Sequence, residues 1–210
     1  MTMRTIEKTI YKYDELPTEA AKAKARDWYR ETGMNYDWWD AVYEDAKTIL
    51  ATMGFHDVDI SFSGFGCQGD GASFTGRYGG RVFPLGAASA SELRRYCPQE
   101  AEVLAVAEAL DAMQSRYDGR LTARIERDRY GYTRYCHGGT MEASLYDDGG
   151  DEEVPQADEL EFRELARKMA RWIYRSLEKG WEHLTGDECV ASVIQDNEYE
   201  FYADGSPSRD

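Results

Sequence analysis

The run Phe62-Ser63-Gly64-Phe65-Gly66-Cys67-Gln68-Gly69-Asp70-Gly71-Ala72-Ser73-Phe74-Thr75-Gly76 packs five glycines into fifteen residues. Its flanks alternate, with Ile60 and Phe62 before it and Phe74, Gly76 and Tyr78 after it. That is the period of strands buried on one face, so two strands joined by a glycine-rich loop are expected here. Glycine lets the backbone take positive φ or approach another group closely, at an entropic cost. Such a loop can hold Gln68, Gly69, Asp70 and Ser73 in a cleft. Equally, Asp70 and Ser73 can bond their own backbone as turn residues do. The residues leave both readings open.

The rest of the chain reads as strands in neighbouring hairpins and helices in groups. A strand is expected over 3–13 and a helix from Pro17 to about Glu31, stopped by Gly33. A second helix is expected from Asp37, as its cap, to Met53, with Trp38, Val42, Ala46, Ile49 and Leu50 at helical spacing. Strands follow at about 57–63 and 72–83, and a helical stretch from Ser91 to Arg116 breaks at Pro98. Leu121 onward and Thr140 onward read as a hairpin. A long helix over about 158–180 buries Phe162, Leu165, Met169, Trp172, Ile173 and Leu177. Thr185 to Glu188 has the spacing of a capping box, and Tyr199 to Tyr202 that of an edge strand. The expectation is α+β: an antiparallel β-sheet packed against several helices, in a single domain over 1–204. An exposed acidic loop is expected at about 147–158, and a frayed tail at 205–210.

Charge narrows the partners. The net charge is −15, and it is concentrated in 146–164 and 182–210. Direct nucleic-acid binding is not expected, because that affinity comes from Lys and Arg neutralising phosphates. The acidic segments either solvate the protein or meet a basic protein surface. No apolar run approaches the roughly 20 residues of a membrane helix, and the N-terminus lacks a signal-peptide core. A cytoplasmic location without membrane association follows as the expectation. Cys67, Cys97, Cys136 and Cys189 are scattered, without metal spacing to one another or to a histidine. Neither a metal site nor another cofactor is expected, and the cysteines should remain thiols. Nothing resembles a Walker loop, a dinucleotide fingerprint or a serine-hydrolase elbow.

Two further clusters bear on function. Trp38 and Trp39 follow Asp37 and precede Asp40, where paired indoles can form a stacking platform for a planar ligand. Alternatively Trp38 enters the core and Trp39 shields a strand. Tyr130, Tyr132, Arg134, Tyr135 and His137 precede Gly138-Gly139 in the second cluster. Arg134 can meet an anionic group, Tyr135 can stack, and His137 can act as a general acid or base near neutral pH. Whether this segment neighbours the glycine-rich hairpin, so that His137 meets Asp70, is not given by the sequence.

Three stretches together resemble a widespread family of small uncharacterised proteins carried by phages, prophages and mobile elements. They are Tyr36-Asp37-Trp38-Trp39-Asp40, the glycine-rich run, and the end from Leu184-Thr185-Gly186-Asp187-Glu188 to Asn197-Glu198-Tyr199-Glu200-Phe201. Cys67 stands where that family often has serine, which argues against an essential cysteine there. The resemblance implies a phage setting rather than a reaction. The functional expectation is a counter-defence protein that binds a small, nucleotide-type ligand in an aromatic, glycine-lined pocket. Trp38, Trp39, Gln68, Gly69, Asp70, Ser73, Arg134, Tyr135 and His137 would form that pocket. The protein either sequesters the ligand or cleaves it with His137 and Asp70. The alternative is an acidic, DNA-mimic-like inhibitor of a basic host protein. Self-association is left open.

Overall fold

Apolar residues recurring at every second position make short strands, and stripes recurring every three or four make helices. The computed structural model of the chain describes residues 7–34, 37–80, 89–127, 136–150 and 153–208. In order they form β1 (Tyr11–Lys12), α1 (Glu19–Thr32), α2 (Asp40–Met53), β2 (Phe55–Ser63), β3 (Gly71–Tyr78), α3 (Ser89–Tyr96) and α4 (Ala101–Arg116). There follow β4 (Leu121–Arg127), β5 (Met141–Asp147), α5 (Gln156–Thr185), α6 (Asp187–Asp196) and β6 (Glu200–Phe201). The fold is α+β. The chain divides into two compact units, one of residues 1–38 and 179–210, the other of 39–178.

The larger unit holds an antiparallel sheet in the order β2-β3-β4-β5. Ile60, Phe74, Tyr78, Ala123, Ile125, Ala143 and Leu145 are buried on one face. Phe55 meets Phe74 and Tyr78 at ring-centroid distances of 5.6 and 4.9 Å, and Phe162 of α5 meets Tyr78 at 5.0 Å. Removing each such ring from water is worth about 1.5–3 kcal/mol. The registers Asp59↔Thr75, Ser61↔Ser73, Arg77↔Arg124 and Arg124↔Ser144 put polar residues on the other face. Helix ends are tied by side chains: Asp111 accepts from the Ser89 and Ala90 N–H groups at 3.3 and 3.1 Å, and Trp172 donates to Glu100 at 2.8 Å.

The smaller unit packs α1 and α6 with the β1–β6 pair around Tyr13, Leu16, Ala21, Ala25, Val190, Ile194 and Phe201. Trp28 stands edge-on to Tyr199 and Phe201, at 5.3 and 5.7 Å. Arg26 donates to the Tyr13 hydroxyl at 2.6 Å, and Asp187 receives both Arg26 and Arg30.

Several local expectations shift. Helix α2 begins at Asp40 with Trp39 as its N-cap, so Asp37 does not occupy the capping position. Helix α5 runs from Gln156 through Thr185, overrunning both expected ends. Thr185 is therefore still helical and donates its hydroxyl back to Trp181 O at 2.7 Å. Gly186 becomes the N-cap of α6, without a side-chain cap, and no capping box forms. Of the strand expected at 3–13, only β1 is described, followed by a 3₁₀ turn at Tyr13–Glu15. Residues 205–208 close onto β6: Ser208 N donates to Glu200 O at 2.8 Å, and Phe201 bridges Pro207.

Gly205, at φ +82°, makes that return, and a Cβ there would overlap the Ala21 carbonyl oxygen. Gly205→Ala therefore combines left-handed strain with overpacking, and should cost about 1–3 kcal/mol. Chemical denaturation should show a lower midpoint at an unchanged slope.

Candidate functional site

The glycine-rich loop is closed by its own aspartate. The Asp70 carboxylate accepts the Cys67 and Gly66 N–H groups at 2.7 and 2.9 Å, and Asp70 N donates to Cys67 O at 3.0 Å. These backbone donors, Cys67 first and then Gly66, with the Ser63 hydroxyl, hold the Asp70 pKa below the usual carboxylate range. Ser63 Oγ in turn accepts the Cys136 N–H at 3.4 Å. The loop and the segment before β5 are thus joined through one serine.

Gly71 shows how close that junction is. A Cβ added there would lie 2.5 Å from the Cβ of His137 and 2.8 Å from its Cα. His137 therefore abuts the residue that follows Asp70. Its Nδ1 accepts the Gly139 N–H at 3.0 Å, so the neutral ring carries its proton on Nε2, the nitrogen left to donate.

Half-exposed aromatic rings form a ladder beside the loop. Phe62 stacks on Phe65 at 5.7 Å, Phe65 meets Tyr174 at 5.5 Å, and Phe62 takes Trp39 and Tyr43 at 5.6 and 6.3 Å. Tyr174 donates its hydroxyl to Gly64 O at 3.1 Å, anchoring the loop to α5. Burial, reinforced by the nearby Cys136 and Asp59, pushes the Tyr43 hydroxyl up to about 12, with Arg127 opposing. Tyr43 is thus a neutral hydrogen-bond donor at physiological pH.

Arg127 ends β4 among these groups. It donates to Ser61 Oγ, lies 4.0 Å from the Cys136 sulfur and 3.9 Å from Asp59, and its Nε is buried without a partner among the described residues. Ser73 Oγ is likewise buried and unpartnered. An unpaired buried hydroxyl costs about 1–3 kcal/mol.

The expected site residues fall as follows. Trp39, Gln68, Gly69, Asp70, Ser73 and His137 all belong to the larger unit; Gln68 is exposed in the loop, while Ser73 lies beneath the surface. Trp38 belongs to the smaller unit, where its ring meets Trp181 at 5.2 Å. Arg134 and Tyr135 lie outside the described residues. Tyr43, Ser61, Ser63, Phe65, Arg127, Cys136 and Tyr174 enter the cluster without having been singled out. For Ser61 and Ser63 the signal was present: they alternate with Ile60 and Phe62 in one strand. Arg127 and Tyr174 carried no local signal, since only tertiary packing brings them here.

All four cysteines are unpaired. No group of three or more His, Cys, Asp or Glu side chains among the described residues is placed to hold a metal, and no described helix is long and apolar enough to cross a membrane. Residues 38–187 match one family model, described as a domain of unknown function (DUF8835). No curated protein and no solved structure matches the chain.

Two outcomes test this geometry. Asp70 has a depressed folded-state pKa, so its stabilisation is complete above the unfolded value, near 3.9, and is lost as pH falls through the folded one. Asp70→Ala should lower the melting temperature at pH 7, and the gap to the parent should close in acid. Gly71→Ala drives a methyl into His137 and should cost about 1–3 kcal/mol by chemical denaturation.

Proposed function

The chain belongs to the DUF8835 family, and we propose that it binds a small nucleotide-type ligand beside the glycine-rich hairpin, as a counter-defence protein of phage. The observation that carries the reading is the junction of half-exposed rings, a loop with one open glycine, Gly66, and a partly unsatisfied arginine within one unit. A planar base stacks on Phe65 and Trp39, since every base offers a π-face and stacking is worth about 1–3 kcal/mol. Arg127 supplies a guanidinium for a phosphate, its fork suited to two parallel hydrogen bonds. Gln68 and the Tyr43 hydroxyl are donors for sugar and phosphate oxygens. Asp70 serves the site by holding the loop amides in place. The phage setting rests on the sequence resemblance.

Sequestration needs nothing more. Cleavage would need His137 as the imidazolium: a water attacks phosphorus, the P–O bond to the leaving group breaks, and the leaving oxygen takes the Nε2 proton, which returns the ring to the neutral form that accepts the Gly139 N–H. The alternative, an acidic inhibitor of a basic host protein, draws less support from the geometry. Asp147, Asp158, Glu161 and Glu164 pair with Arg120, Arg116 and Arg167, while Asp187, Glu200 and Asp204 pair with Arg26, Arg30, Lys12 and Lys24. Those acids already have cations of their own.

A thermal-shift screen against linear and cyclic nucleotides tests the reading. A ligand at 100 times its Kd should stabilise by about 2.7 kcal/mol, and Phe65→Ala or Arg127→Gln should abolish the shift while both variants stay folded. Chromatography of each hit separates an intact ligand from a new product. No shift with any nucleotide, or a shift that survives both substitutions, overturns the proposal.

A further inference from the structure

The polar face of the sheet carries a groove of about 500 Å³ whose walls include Asp57, Gly76, Arg77, Arg124, Glu126 and Arg127. Gly76 contributes only backbone to it; its missing side chain would lie on the opposite, aromatic face with that of its partner Ile125, and a Cβ there would come within 2.9 Å of His56 O. Arg77 and Arg124 are direct cross-strand partners in the β3–β4 ladder. Like charges directly opposite one another destabilise a strand pair, and here they do so in a chain of net charge −15. Both guanidinium groups are well exposed, at 68% and 61% of the side chain. Each leans on an acid beside it, Arg77 on Asp57 at 3.9 Å and Arg124 on Glu126 at 2.8 Å. Asp57 reaches that position from a β-bulge in β2, at φ +53°. Bulges re-aim side chains in this way and recur beside functional sites.

Resting on the nucleotide reading above, we infer that this groove is the oligophosphate end of the same site. Arg127 takes one phosphoryl group, and the Arg77–Arg124 pair clamps another between two planar guanidiniums. Arg127 stands three positions along β4 from Arg124, roughly 10 Å of backbone, and leans on Ser61 and Asp59 rather than on the Arg77–Arg124 pair, so the two positions suit separate phosphoryl groups. The ligand class is therefore a molecule with two or more phosphoryl groups in series, from a nucleoside oligophosphate to a linked dinucleotide or an inorganic oligophosphate. Asp57 and Glu126 act as resting counter-ions that the ligand displaces, which lowers affinity while keeping the arginines apart and aligned.

The experiment is calorimetric titration of the full chain with ATP, AMP and inorganic tripolyphosphate at one fixed ionic strength. ATP should bind at least about tenfold tighter than AMP. The double variant Arg77→Gln/Arg124→Gln should lose that advantage, and tripolyphosphate binding with it, while AMP affinity stays at the parent level. Both substituted side chains are exposed and repel each other, so the variant should fold at least as stably as the parent. Arg95→Gln, an exposed arginine on α3, should change nothing, and Asp57→Asn should tighten ATP and tripolyphosphate. The inference is overturned if the double variant binds both like the parent, if ATP binds no tighter than AMP, or if none of the three binds. Arginine-dependent binding of tripolyphosphate with no advantage for a base keeps the groove and removes the stacking reading. Loss of ATP and AMP alike in Phe65→Ala, with no effect of the double variant, does the reverse.

Discussion

Phe55, Phe74, Tyr78 and Phe162 meet at centroid distances between 4.9 and 6.1 Å and seal one face of the four-stranded sheet. The placement of polar groups on the larger unit depends on that seal. A two-residue period commits every second side chain to the aromatic side, and a one-residue slip would drive Ser61, Ser73, Thr75 and Arg77 into the core. The register is therefore enforced by the rings, and the hydroxyls and guanidiniums of the opposite face inherit their positions from it. Arg77 and Arg124 lie on that opposite face, while Phe62 continues the aromatic side with Ile60.

The glycine-rich hairpin was legible because its cues are local. Alternation gave the strands, and Asp70 among glycines gave a turn held by a carboxylate. The pairing of β4 with β5 and the break between α3 and α4 were legible for the same reason. Capping was read less well, since Thr185 looks like a cap only if α5 has already ended, and packing carries that helix on to Thr185 itself. The arginines of α5 reach across the unit: Arg163 and Arg167 to Glu142 on β5, and Arg175 to Glu102 on α4. Such long-range pairs have no signature in spacing.

The candidate site divides along the same line. Asp70 and His137 stood out by composition, and the close approach at Gly71 brings their two segments together. Arg127, Tyr43 and Tyr174 come from three separated elements, and nothing near them in sequence marks them. Ser73 illustrates a different gap: a small polar residue in an alternating strand gives no hint that its hydroxyl will be covered. Ser73 Oγ and Arg127 Nε are two of six buried side-chain polar atoms without a partner among the described residues, a kind of atom that usually has one.

The bulge at Asp57 has a second effect, unrelated to any ligand. Strand β2 is an outer member of its sheet, and an outer strand offers a row of unmatched amides and carbonyls to any other chain in solution. The interruption between His56 and Asp59 breaks that row, and two aspartates flank the break with charge. Two copies meeting edge to edge would find neither a straight ladder nor a neutral one. A backbone distortion that costs the folded state a little thereby guards against intermolecular sheet growth.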